Sequence, residues 1–232
     1  MLFEKGNAAK QWMLEELDRR YGKAPARILD LACGNGRIWE RFLKTHPNIR
    51  VTGIDSDERA ILQGKTSYQG NTQINLQHFD AQKLIDGVYD SVMAMSAIEH
   101  VVDHPAFLRT VWNALSSGGV AYLNYDSGHF RSNNVKERLM VPISQLLALF
   151  GAQGSYMKRV DDKLFCDQIR KQGFNITDIK KHNLYPLKGF MRAAEEEAVK
   201  TWYEFENKLN QMYLPEELEK VMWSTTVVVK KG

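Results

Sequence analysis

The sequence predicts an α/β domain built around a parallel sheet. Three observations carry that reading: short apolar runs recur along the chain, stretches of helical periodicity follow them, and turn residues separate the two. Strands alternating with helices of this length imply βαβ units. The 232 residues suit one such domain, 1–232, with an elaboration. At 44% hydrophobic and 25% charged residues, the composition supports a full core and argues against disorder.

Taken in order, Asn7 to Tyr21 sets Ala8, Trp12, Leu14 and Leu17 at near-helical spacing, and Gly22 and Pro25 end that helix. Arg27 to Ala32 is a short apolar run closed by Gly34-Asn35-Gly36, a buried strand meeting a tight turn. Arg37 to Lys44 places Ile38, Phe42 and Leu43 on one side and reads as a helix. Strands follow at Arg50–Ile54, Ile74–Phe79 and Tyr89–Met95, with a helix at Glu58–Ser67. Pro105 to Leu115 is a helix with proline in its first turn, where a missing N–H does no harm. Gly118-Gly119 then turns the chain into a fifth strand, Val120–Tyr125.

The second half is less regular. Asn133–Phe150 reads as a helix interrupted at Pro142, and Val160–Gln172 as a helix closed by Gly173. Phe174–Lys181 and Thr225–Lys230 are β-like. The helical insertion between them, roughly Leu187 to Lys220, is too long for a loop and is expected to cap the domain.

Composition permits an anionic partner without arguing for one. A net charge of +3 is weak, and the densest basic stretch, Arg170 to Arg192, is diluted by Gln172, Asp178, Leu184 and Pro186. A solvated edge is the simpler reading than a nucleic-acid face. Cys33 and Cys166 lie far apart and form no metal-ligand pattern, so no metal is expected and a reducing cytoplasm suits the chain. The first residues carry charges throughout, and no apolar run approaches the ~20 residues of a membrane span.

The chemistry gathers at the carboxyl ends of the strands, where open α/β sheets bind ligands. Strand one ends in Asp30-Leu-Ala-Cys-Gly-Asn-Gly36, strand two in Asp55, strand three in Asp80 and strand four in Ser96-Ala-Ile-Glu-His100. Glycines at 34 and 36 let the backbone turn sharply and approach a ligand. A carboxylate at the end of strand two can accept both hydroxyl protons of a ribose. An acid beyond strand three can accept from an adenine amino group. Together these describe a nucleoside site. A dinucleotide fingerprint would want a third glycine where Trp39 stands, which opposes a nicotinamide or flavin cofactor.

Ile28-Leu-Asp-Leu-Ala-Cys-Gly-Asn-Gly-Arg37 resembles motif I of the class I S-adenosylmethionine (SAM)-dependent methyltransferases, whose usual form is (V/I)LD(L/I)GCGTG. Ala32 replaces the frequent Gly, and Asn35 the frequent Thr. Val51–Asp55, Phe79–Ala81, Tyr89–Met93 with Ile98–Val101, and Leu115–Gly119 resemble the later motifs in order. The resemblance covers about residues 26 to 125. It implies a three-layer Rossmann-like fold with seven strands, the last antiparallel, plus helical cap insertions at 126–160 and 187–223. It also implies an N-terminal helix or lid over 1–24.

By the same resemblance SAM is the cofactor. Asp30 and the Ala32, Gly34, Asn35 and Gly36 backbone would face its methionine part. Asp55, with Ser56 beside it, would hold the ribose, Asp80 and Ala81 the adenine, and Ser96 would line the site. A general base is needed only for a weakly nucleophilic acceptor. His100 and His129 are the candidates, their alternatives being a site-lining role and a solvent-facing loop. Glu99, His100, Tyr125, Asp126, His129, Arg131 and Tyr203 are expected to line an acceptor pocket whose enclosure suits a small organic molecule. The competing readings are a methyltransferase acting on RNA or protein and a SAM-binding subunit without catalysis.

Overall fold

The computed structural model describes residues 7–127, 130, 141–143, 145, 156–184 and 187–231. His129, Arg131, Tyr185 and nearly all of the expected helix at 133–150 lie outside these residues.

Seven strands form one sheet: β1 (Ala26–Leu31), β2 (Ile49–Asp55), β3 (Ile74–His78), β4 (Tyr89–Ala94), β5 (Leu115–Asp126), β6 (Phe174–Leu184) and β7 (Met222–Lys231). Their spatial order is β3-β2-β1-β4-β5-β7-β6. The first five run parallel, and β7 runs antiparallel to both β5 and β6. Parallel strands are covered on both faces, so β1 and β4 are buried almost throughout.

One face packs α1 (Ala8–Tyr21), α2 (Trp39–Thr45) and α3 (Glu58–Ser67), the other α4 (His104–Ala114) and α5 (Asp162–Lys171). Each strand feeds both layers by alternation: Ile28 packs with the α1 layer and Leu29 with the α4 layer, as do Tyr122 and Leu123 on β5. A short 3-10 turn, Ile98–His100, leads from β4 towards α4.

Helix caps explain most boundaries. Asn7, Asp57, Asp103 and Asp161 each accept from a backbone N–H in the first turn of the helix they precede. The expected strand at Val120–Tyr125 begins five residues earlier, at Leu115, because residues around Gly118 bulge out between the Tyr89–Leu115 and Ser91–Val120 pairs. β6 continues to Leu184 and β7 starts at Met222, each beyond the expected limits, because their polar ends pair with each other.

Helix α1 is a layer of the core. Met13, Leu14 and Leu17 have no exposed surface, and Tyr21 donates its hydroxyl proton to the Asp90 carbonyl oxygen at 2.9 Å. Burial of such side chains is worth about 1.5–3 kcal/mol each, so the helix cannot swing as a whole like a lid. The insertion between β6 and β7 forms α6 (Lys188–Ala193), α7 (Glu196–Met212) and α8 (Pro215–Leu218). Here α7 and α8 brace β6, while Met191, Val199 and Tyr203 cluster with Ala8 at the start of α1. Among the described residues no helix is long and apolar enough to cross a membrane.

Candidate functional site

The loop after β1 takes its shape from three left-handed residues: Ala32 at φ 60°, Gly34 at 58° and Gly36 at 73°. Gly34 faces open space, where an added Cβ would meet nothing within 4 Å, so its backbone is accessible to a ligand. Gly36 is packed from behind, where a Cβ would lie 3.3 Å from Ile74 and Leu76. Ala32 adopts the same backbone region with a side chain, at a cost of about 1–2 kcal/mol. Such strain gathers where function over-determines the backbone.

Asp55 stands half-buried at the end of β2. One carboxylate oxygen accepts the Gly34 N–H at 2.7 Å and the other the Asp57 N–H at 2.8 Å. The helix-capping role falls to Asp57, which accepts from Arg59 and Ala60. Asp55 is thereby fixed in orientation and keeps lone pairs for further donors. Ser56 beside it is exposed. Asp80 is half-buried and accepts the Gln82 N–H at 2.9 Å, an Asx turn that aims the chain past Ala81 into the α4 layer.

Beyond β4, Ser96 is held at φ 52°. Its N–H donates to Asn124 Oδ1 at 3.0 Å. The Asn124 amide donates in turn to Ser224, to the Thr225 carbonyl and to Thr226, each at 3.0 Å. Asn124 is a functional candidate the motif reading missed. Its signal was a lone amide inside the apolar run Val120–Tyr125.

Asp30 is the most unusual group. It has no exposed surface, one oxygen accepts the Trp39 indole N–H at 2.7 Å, and the other has no partner among the described residues. Burial pushes its carboxyl up to about 7, a rise that the Trp39 hydrogen bond opposes. Burial also holds the Cys33 thiol well above its ordinary range, which opposes a nucleophilic role.

The residues expected to line the acceptor pocket are brought together only in part. Glu99 is buried, and one of its oxygens accepts the Asp126 N–H at 3.2 Å, tying the 3-10 turn to the end of β5. Tyr125 points to the opposite face and donates to Asp162 at 2.8 Å. The same Asp162 pairs with Lys181, which is buried and donates to Thr225 Oγ1 at 2.9 Å. Exposed His100 hydrogen-bonds through Nδ1 to the Tyr156 carbonyl oxygen at 3.0 Å, so that nitrogen carries the proton and Nε2 has the free lone pair. Tyr203 packs in the cluster beside Ala8. His182 and Asn183, also missed from sequence, are buried at the end of β6 against Trp12 and Ala8. Among the described residues no cluster of three or more metal-ligating side chains occurs.

Residues 28–119 match the family model for the methyltransferase domain. That stretch carries the sequence of a class I SAM-dependent methyltransferase domain. Two curated relatives agree. The malonyl-(acyl-carrier protein) O-methyltransferase of Bacillus cytotoxicus is 32% identical over 110 residues, covering 47% of this chain and 38% of that protein. The trans-aconitate 2-methyltransferase of Deinococcus radiodurans is 29% identical over 104 residues, covering 45% and 39%. The chain thus spans about two-fifths of the length of either relative.

Solved structures share the methyltransferase fold over nearly the whole chain. The S-adenosylmethionine dependent methyltransferase from Mesorhizobium loti superposes with a TM-score of 0.63 at 16% identity, covering 96% of this chain and 98% of that one. The (4+2) cyclase SpnF gives a TM-score of 0.63 at 16% identity, covering 95% and 80%. One fold therefore serves more than one chemistry.

The residues present fit the family's methyl donor, S-adenosylmethionine. The loop around Gly34 leaves open backbone, and Asp55 keeps acceptor capacity. Asp30 has an unpartnered buried oxygen.

Proposed function

We propose that the chain transfers a methyl group from SAM to an oxygen of a small organic acceptor. The observation that carries this reading is Asp55, clamped by Gly34 and Asp57 beside an open left-handed loop. That is an acceptor pair preset for the two ribose hydroxyls. Asp80 and Ala81 would flank the adenine, Ser96 and the Ala32–Gly36 backbone the methionine part, and Asp30 its charged end.

When bound, SAM supplies a methyl group already activated on a cationic sulfur. The work left to the chain is to orient the acceptor and exclude water. Ser96, braced by Asn124, sets one wall. Glu99 fixes the end of β5 as another. His100 keeps Nε2 available to take a proton from a hydroxyl acceptor, and His129 remains the second candidate base. Because the 187–223 segment braces β6 and α1, acceptor choice falls to segment 126–160, with Asp126, His129 and Arg131 as its candidate contacts. Oxygen is favoured over nitrogen or carbon because the Bacillus relative is named an O-methyltransferase.

Methyl-labelled SAM incubated with the chain and a panel of small carboxylic acids and phenols tests the reading. Label transfer that is lost in Asp55→Ala supports it. Tight binding of S-adenosylhomocysteine (SAH) without turnover on any acceptor would assign a binding subunit instead. Saturable NAD binding in competition with SAM would overturn the cofactor.

A further inference from the structure

We propose that Trp39 is a positioning residue of the cofactor site: its indole N–H holds one oxygen of Asp30 and leaves the other to meet the ammonium group of the cofactor's methionine portion. The inference deepens the SAM reading and rests on it.

Trp39 stands where a dinucleotide-binding turn has glycine, and its ring fills the space that such a glycine leaves. The indole has no exposed surface and lies edge-on to Phe42, with ring centres 5.7 Å apart, so it cannot swing away from Asp30. Its backbone N–H donates to the Gly36 carbonyl at 2.9 Å. The ligand loop and Asp30 are therefore joined through one side chain, by its backbone at one end and its ring nitrogen at the other. A carboxylate in such a place is costly unless a cation arrives, because an ionised group without full hydrogen bonding is strongly disfavoured in the interior.

The charged and titratable groups that face Asp30 are few. Lys10 reaches it electrostatically from α1, Asp55 from β2, and Cys33 and Tyr68 feel it from the loop and from α3. Trp39 is the neutral donor that favours the ionised form. In the free protein Asp30 therefore holds its proton up to about pH 7. A bound ammonium would displace that proton, so binding should release it and strengthen as pH rises through that range. Removing the indole donor should push the carboxyl higher still and move the whole profile upward.

SAH carries the same ammonium and serves as the probe. Calorimetric titration of the intact chain between about pH 6 and pH 8.5, in buffers of different ionisation heat, should show affinity rising about tenfold with proton release at the acid end. Trp39→Phe should lose about tenfold affinity at the acid end and recover to within about threefold at the alkaline end. Asp30→Asn should bind weakly with no pH dependence, and the double variant should match it.

A loss in Trp39→Phe that is equal at every pH, or no loss, would overturn the proposal while leaving the cofactor reading intact. Failure of the wild type to bind SAH at any pH would overturn both. A measurement on the folded wild type guards against a variant that fails to fold. The Trp39 indole N–H resonance of the free chain should shift with a midpoint near pH 7. That shift should be absent in Asp30→Asn, and a resonance that ignores pH would also overturn the proposal.

Discussion

The two halves of the sheet treat polar groups in opposite ways. Around β1, β2 and β4 they are left open: Asp30 has an unpartnered oxygen, Ala32 and Ser96 hold strained backbone, and Asp55 keeps unused acceptor capacity. Around β5, β7 and β6 most of them satisfy each other, the exceptions among the described residues being His182 Nε2 and the Asn183 amide nitrogen on β6, where Asn183 is also left-handed. Asn124 donates to three groups, Lys181 joins Asp162 and Thr225, and Glu206 accepts from the Asn183 and Leu184 N–H groups and the Trp202 indole. The first half is unfinished without a ligand, and the second is finished but for those two atoms on β6. Unsatisfied groups persist in native proteins where they have a use, so the open groups gathered around the β1 loop support the site alongside its motifs.

The largest break in this comparison should come from the finished half. Asp162→Ala would leave Lys181, 2% exposed, without its carboxylate. Stranding a buried charge costs about 3–5 kcal/mol, and the partial exposure of Asp162 reduces this to about 2–3. Chemical denaturation should register that loss while SAH affinity stays within about threefold.

Asp55→Ala should do the reverse. It removes a charged acceptor and should weaken SAH binding by about 1.5–3 kcal/mol in calorimetry.

Asp30→Asn sharpens the contrast further. The Asp30 carboxyl sits near 7 in the fold against 3.8 for an ordinary aspartate. Its protonated form is the one the fold prefers, so the stability it contributes is full below about pH 4 and is lost as pH rises through 7. The variant should therefore unfold about 2–4 °C higher than wild type above neutrality, with the gap closing in acid. Greater stability bought with weaker ligand binding is the signature of an unfinished site.

Ala32→Gly is the smallest test. Relief of the left-handed strain and the entropy of glycine nearly cancel, so stability should move by less than about 0.5 kcal/mol.

The same contrast explains what the sequence made legible. The open half is built from backbone requirements, and these leave marks: Gly34 and Gly36 for the turn, acids at the ends of short apolar runs, Asp57 ahead of its helix. The count of seven strands and the antiparallel last strand follow from a resemblance that covers this half. In the finished half the decisive facts are pairings between distant residues, and no local pattern reveals them. Tyr125 was expected near the acceptor but faces Asp162, thirty-seven positions along the chain. Tyr203 was expected to line a pocket but packs beside Ala8. Trp39 was read as the side chain that stands where a dinucleotide turn has glycine; that it is buried and that its indole N–H reaches Asp30 could not be seen from spacing.

The place of β7 has a consequence for the order in which the molecule can assemble. Strands β1 to β5 can pair with one another as soon as β5 is made, whereas β6 has β7 as its one sheet partner among the described strands. Between them in sequence come α6, α7 and α8. Until Met222–Lys231 has been synthesised, β6 has no ladder to join and β5 keeps an open edge. Such non-local closure is slow relative to local pairing. A nascent chain would thus hold its ligand-binding strands in place while one side of the sheet still waited, exposed to mispairing with other chains, for a strand that arrives last and inserts between two others.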